Sequence, residues 1–118
     1  MKTCLIYIFY LVIGFSLSAC SVEPRKQVPE KLKVGQARFH KLCANCHGAD
    51  GMGGSNAPKL IQDSYTSAQF PNEKLAWTIL NGSKSGAMPS LKNIVNEEDI
   101  KAIIKYIRYS QEAAGLTP

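Results

Sequence analysis

Two cysteines and a histidine stand within the five residues Cys43-Ala44-Asn45-Cys46-His47, and this spacing constrains the chain more than any other feature of it. Thiols three positions apart can each add to one vinyl group of a haem, and the adjoining imidazole is then held beneath the iron as an axial ligand. C-x-x-C-H is the attachment signature of a c-type haem. Two other chemistries use similar residues. A redox dithiol normally opens a helix after a strand of a βαβ unit, and no strand pattern precedes Cys43. Structural zinc needs a fourth ligand, normally from a second Cys or His pair, and the remaining histidine, His40, lies seven residues upstream. The motif predicts one covalently bound haem c, with Cys43 and Cys46 as tethers and His47 on the iron.

The N-terminus carries export information. Lys2 precedes an apolar run from Leu5 to Leu17, broken by Gly14 and Ser16. Such a run falls short of the roughly 20 residues that a membrane span needs, and its layout is that of a secretory signal. Leu17-Ser18-Ala19-Cys20 resembles the lipobox of bacterial lipoproteins, which implies cleavage before Cys20 and diacylglyceryl on its sulfur. Two or three acyl chains anchor a protein stably where one does not. The expected organisation is a signal peptide over 1–19, a flexible tether over 20–30 from the lipidated Cys20, and a domain over 31–118. Ser21 in place of Asp leans towards the outer membrane of a Gram-negative cell.

Each cysteine then has its own fate. Cys4 leaves with the signal, Cys20 takes lipid, Cys43 and Cys46 take haem, and no pair remains for a disulfide. Cleavage also removes Lys2, leaving 13 basic and 9 acidic residues, a formal charge of +4 spread without a basic run. That moderate excess suits a mildly acidic redox partner and gives no support to nucleic-acid binding. Ninety-nine residues from Cys20 onward suffice for one small domain with a modest core, which a bound haem would enlarge.

Helical periodicity runs through the mature chain. From Lys31 to Ala44, Leu32, Gly35, Phe39, Leu42 and Cys43 share one stripe, and Gly35 inside it suggests close approach of another backbone. His40 reads as a solvated residue near the haem edge. Residues 48–58 hold four glycines and read as an irregular loop wrapping one edge of the haem. Asn72 to Leu80 reads as a short helix capped by Asn72, with Leu75 and Ile79 inward, ended by Asn81-Gly82. The last helix starts at Asn96 and carries Ile100, Ile103, Ile104 and Ile107 on its buried stripe. With no strand pattern, the predicted fold class is all-α.

This arrangement resembles class I, monohaem cytochromes c over residues 31 to about 111. Gly35 and Phe39 match the family's G-x-x-x-[FY] element, and Tyr106 sits on the last helix. The resemblance implies three to five helices around a covalent haem, with the N- and C-terminal helices crossing at Gly35, Phe39 and Tyr106. Asn56-Ala57-Pro58-Lys59-Leu60 resembles the segment in which a proline carbonyl accepts a hydrogen bond from the haem-bound histidine, and Leu60 would pack on the haem. Gly86-Ala87-Met88-Pro89-Ser90-Leu91 resembles the segment that supplies a Met thioether as the sixth ligand, so the metal ligands are expected to be His47 and Met88. Met52 is the competitor. Trp77 is expected in ordinary packing, and Asn81, Ser83 and Ser85 are candidates for bonding the haem propionates.

The implied function is one-electron transfer between Fe(II) and Fe(III) by a lipid-anchored monohaem cytochrome at the periplasmic face of a bacterial membrane. No catalytic residue is expected. Its donor and acceptor are redox proteins met in weak, transient encounters, and the carrier is a monomer or a subunit of a membrane complex. Two alternatives stay open: a haem subunit of a larger oxidase, reductase or dehydrogenase, and a ligand-binding or peroxidatic protein with a labile Met88.

Overall fold

The longest helix begins where a polar side chain can replace lost backbone partners. In the computed structural model, which describes residues 22–117, Asn96 accepts from the Asp99 amide at 2.8 Å and Asp99 accepts from the Asn96 amide, a reciprocal cap that starts the helix Glu97–Ala113. Among the described residues three α-helices precede it: α1 (Lys33–Leu42), α2 (Ala44–His47) and α3 (Asn72–Asn81), which makes the last one α4. Three short 3-10 turns, Glu30–Leu32, Ala49–Gly51 and Asp63–Tyr65, complete the regular structure, and the described residues hold no strand. None of their helices is long and apolar enough to cross a membrane. The chain is all-α, as its periodicity predicts. The signal segment 1–19 and Cys20 lie outside the described residues.

The first predicted helix is divided. A 3-10 turn leads into α1, and at Cys43 (φ −118°, ψ −33°) the chain breaks before α2 begins. Both the Cys46 and His47 amides donate to the Cys43 carbonyl, at 3.1 and 2.9 Å. The break sets the C-x-x-C-H segment on its own short turn, anchored by α1 but not continuous with it.

Helices α1 and α4 make the most extensive contact of the fold. Gly35 is the reason they can approach: a Cβ there would lie 2.2 Å from the Ala102 carbonyl oxygen. One turn on, the rings of Phe39 and Tyr106 pack 5.4 Å apart at 55°. Arg38 Nε reaches Asp99 at 2.8 Å and joins the two helices at the rim. Ile100, Ile103, Ile104 and Ile107 are all buried, with Leu75, Ile79 and Leu91 packed in the same cluster. Trp77 on α3 is 53% exposed, yet it lines an apolar cleft together with Leu75 and Ile79.

Behind the aromatic pair lies a buried polar cluster. Asp50 adopts φ +54°, a left-handed conformation tolerated by Asp better than by most residues, and is almost fully buried. Its carboxyl oxygens accept from the Tyr106 hydroxyl and, at 2.9 Å, from the Arg25 amide. Its amide donates to His40 Nε2 at 3.1 Å, while His40 Nδ1 bonds the Gln36 carbonyl at 2.8 Å. A neutral imidazole with its proton on Nδ1 satisfies both contacts. His40 is therefore a buried structural residue, contrary to the solvated position expected of it. The same cluster holds the start of the described chain: besides the Arg25 bond, the Lys26 carbonyl accepts from Gln36, and Val22 and Val28 pack against the core.

Gly35→Ala should lower stability by about 1–3 kcal/mol through overpacking at the crossing, read as a reduced melting temperature of the haem-loaded protein. An unchanged melting temperature would show that the helices part without cost. Burial, and then the bond to Asp50, push the Tyr106 phenol above its ordinary range. Folding therefore favours the protonated phenol, and this stabilisation is complete below about pH 10 and is lost as pH rises beyond it. Tyr106→Phe should flatten the alkaline limb of the stability curve while costing about 1 kcal/mol at neutral pH, both measurable by urea unfolding across pH 7–11.

Candidate haem site

An apolar cleft of about 800 Å³ opens between α1, α3, α4 and the loops around residues 56–60 and 83–91. Phe39 and Cys43 come to it from α1 and its break, Leu75 and Ile79 from α3, and Ile103 and Ile107 from α4. Its size falls within the roughly 300–1,000 Å³ typical of cofactor pockets. Cys46, His47, Pro58, Leu60 and Met88 line it too, so the structure gathers both motif cysteines and both expected metal ligands in one place. Met52, the rival to Met88, is 47% exposed and does not line the cleft.

Local chemistry fixes His47. Its Nδ1 lies 2.9 Å from the Pro58 carbonyl oxygen, which orients the ring and leaves Nε2 for a metal. The glycine-rich segment braces this turn rather than covering the cleft. The Gly53 amide donates to the His47 carbonyl at 2.7 Å, and a Cβ on Gly48 (φ +79°) would collide with the Gly53 carbonyl at 2.1 Å. The loop thus folds back beneath the histidine, and it is residues 56–58 and Leu60, further along, that reach the cleft.

The two thiols differ. Cys43 is buried and Cys46 exposed. Burial, and then the neighbouring Cys46, push the free Cys43 thiol up to about 12. A redox dithiol needs a readily formed thiolate at its first cysteine, so this environment argues against that chemistry. No group of three His, Cys, Asp or Glu side chains is gathered as a metal site among the described residues, which removes the support for zinc. An apolar cleft, two thiols at its wall, an oriented imidazole and a thioether suit a covalently attached haem. Bound there, Cys43 and Cys46 would carry the thioether bonds and His47 and Met88 would face the iron.

Several contributors carry no sequence signal of their own. Tyr65 and Phe70 form part of the cleft lining, with Lys74 Nζ 4.4 Å over the Phe70 ring. This stretch has no long helix to hold it, and Arg108 on α4 does so instead. Its guanidinium donates to the carbonyls of Tyr65 and Phe70, each at 2.6 Å, and to Asn72 Oδ1 at 2.8 Å. Gln111 adds bonds to the Leu60 and Tyr65 carbonyls, at 2.9 and 2.8 Å. Asn72 is thereby used by Arg108, and Pro71 precedes the helix in the capping position expected for Asn72. Among the propionate candidates, Ser83 and Ser85 line the cleft, whereas Asn81 donates to the Trp77 carbonyl.

A helical fold closed around a cleft with a C-x-x-C-H wall defines a c-type cytochrome. Residues 30–107 match the family model described as cytochrome c oxidase, cbb3-type, subunit III, and the chain belongs to that family. It is 28% identical over 79 residues to the cbb3-type cytochrome c oxidase subunit CcoP of Rubrivivax gelatinosus, covering 67% of this chain and 26% of that protein. It is 31% identical over 83 residues to the chloroplastic cytochrome c6 of Chlamydomonas reinhardtii, covering 64% and 52%. The chain thus spans about a quarter and about half of these two relatives. Among solved structures, the c-type cytochrome XoxG of Methylobacterium extorquens AM1 superposes with a TM-score of 0.60 at 26% identity, covering 73% of this chain and 54% of that one. The KustC0563 c-type cytochrome superposes at 0.58 with 23% identity, covering 65% and 96%, a likeness of fold. The chain is a c-type cytochrome, a family that carries covalently bound haem c.

Arg108→Lys should not substitute for the wild type, because a single ammonium cannot serve carbonyls and Asn72 on three sides. We expect a loss of about 2 kcal/mol in urea unfolding. A loss below a few tenths of that would show the 65–72 wall to be self-supporting.

Proposed function

We propose that this protein is a membrane-tethered, monohaem electron carrier with His47 and Met88 as axial ligands and lipid on Cys20. The observation that carries the ligand assignment is the convergence of His47 and Met88, 41 residues apart, on one apolar cleft, with His47 already oriented by Pro58. Bound haem c supplies a reversible one-electron Fe(II)/Fe(III) couple, and Met/His ligation favours the reduced state. The chain's own part is to keep both ligands in place through the cycle, exclude water with Phe39, Leu60, Leu75 and Ile103, and leave no position open to substrate. Lys74 and Lys84 at the cleft suit weak docking to an acidic redox partner.

The tether and the anchor rest on the sequence alone: an export signal ending in Leu17-Ser18-Ala19-Cys20 before a Pro- and charge-rich segment. A second reading has its own support. The match to CcoP, itself a subunit of an oxidase, favours a haem subunit of a larger respiratory complex. Local chemistry is the same in both readings. Purification in mild detergent separates them, by showing whether the cytochrome leaves the membrane alone or with partners. A labile Met88 finds no such support.

A redox titration should give one reversible couple, and Met88→Ala should lower its potential and admit carbon monoxide to the reduced protein. Met52→Ala should do neither. Carbon monoxide binding to the unaltered protein at neutral pH would overturn the closed site.

A further inference from the structure

A thioether is a neutral, weakly donating ligand, so its occupancy depends on how firmly the chain holds it in position. Met88 lies on the segment between α3 and α4, in a loop without regular structure. Both of its backbone polar groups nevertheless have the same partner. The Met88 amide donates to Ser83 Oγ at 3.0 Å, and the Ser83 amide donates to the Met88 carbonyl, also at 3.0 Å. The Gly86 amide donates to the Ser83 carbonyl at 3.0 Å and closes the turn between them. Gly82 permits the arrangement. At φ +79° it can turn the chain out of α3, and a Cβ there would stand 2.4 Å from the Met88 carbonyl oxygen. The far side is tied by the Leu91 amide, which donates to the Ile79 carbonyl at 3.1 Å.

We propose that Ser83, seated against Gly82, is the positioning residue that clasps Met88 and keeps its thioether on the iron. This rests on the His47/Met88 ligation proposed above. The Ser83 backbone could pin the Met88 carbonyl whatever its side chain, but the Met88 amide is held by the hydroxyl alone. Removing that hydroxyl frees the amide on the side of the loop that turns into the ligand. A lost hydrogen bond of this kind corresponds to about a fivefold larger Met-off population.

Haem-loaded wild type, Ser83→Ala, Ser83→Thr and Met88→Ala are compared by the Met-to-Fe(III) absorption band and by carbon monoxide binding to the reduced protein at neutral pH. Ser83→Ala should weaken the band, raise the Met-off population about fivefold and so admit carbon monoxide where the wild type does not. Ser83→Thr, which keeps the hydroxyl, should restore the wild-type result in both readouts. A general loss of stability would not separate Ala from Thr in this way. If the wild type shows the band, Met88→Ala abolishes it and Ser83→Ala leaves band and uptake unchanged, the clasp is overturned while the ligation stands. A wild type without the band overturns the ligation itself, and the clasp with it. Should Ser83→Ala fail to accumulate, amide hydrogen exchange in the reduced wild type decides: Met88 should exchange at least about tenfold more slowly than a free amide, and exchange at the free rate overturns the clasp.

Discussion

The close approach of α1 to α4 at Gly35 is the constraint from which the site follows. Because nothing larger than hydrogen separates Gly35 from the Ala102 carbonyl, Phe39 and Tyr106 are brought into contact one turn later. The C-x-x-C-H turn then emerges beside Ile103 and Ile107 on α4. A wider separation would leave the attachment cysteines and the apolar wall without a shared cleft. Cofactor attachment is a local property of five residues, but the environment in which it occurs is made by a contact between the two ends of the domain.

Much of this was readable from the sequence, for a definable reason. Ile100, Ile103, Ile104 and Ile107 repeat at helical spacing, Asn96 offers a cap, and Gly35 breaks an otherwise good helical stripe, so each signals its role through neighbours a few residues away. The features without a local sequence signal act over longer separations. Arg108 holds carbonyls about 40 positions upstream, and Asp50 and Tyr106 meet across 56 residues. His40, a polar residue off the apolar stripe, reads as solvated until its bonds to Gln36 and Asp50 are known. Trp77 is 53% exposed and yet lines the cleft, a position that its spacing on α3 does not reveal by itself. Periodicity gives the direction of a side chain on its element, whereas polar burial depends on which other element covers it.

The two loops flanking the cleft are stiffened by different means. Around His47 the backbone returns on itself through glycines, so the rigidity is steric and its acceptor, the Pro58 carbonyl, is main chain. Around Met88 the rigidity depends on a side-chain hydroxyl, and along residues 65–70 on a guanidinium and an amide from α4. Substitution can therefore tune the thioether side and the outer wall, whereas the imidazole side changes only if the backbone does.

The bond between the Arg25 amide and buried Asp50 gives the N-terminal segment a fixed point on the domain. On the proposed lipid attachment at Cys20, and with Val22 already packed against the core, the leash to the bilayer is no longer than about 17 Å at full extension. A carrier so held does not search the volume of a compartment. It diffuses in the plane of its membrane, with its height and tilt restricted, and the proteins it exchanges electrons with must bring their own redox centres down to that plane.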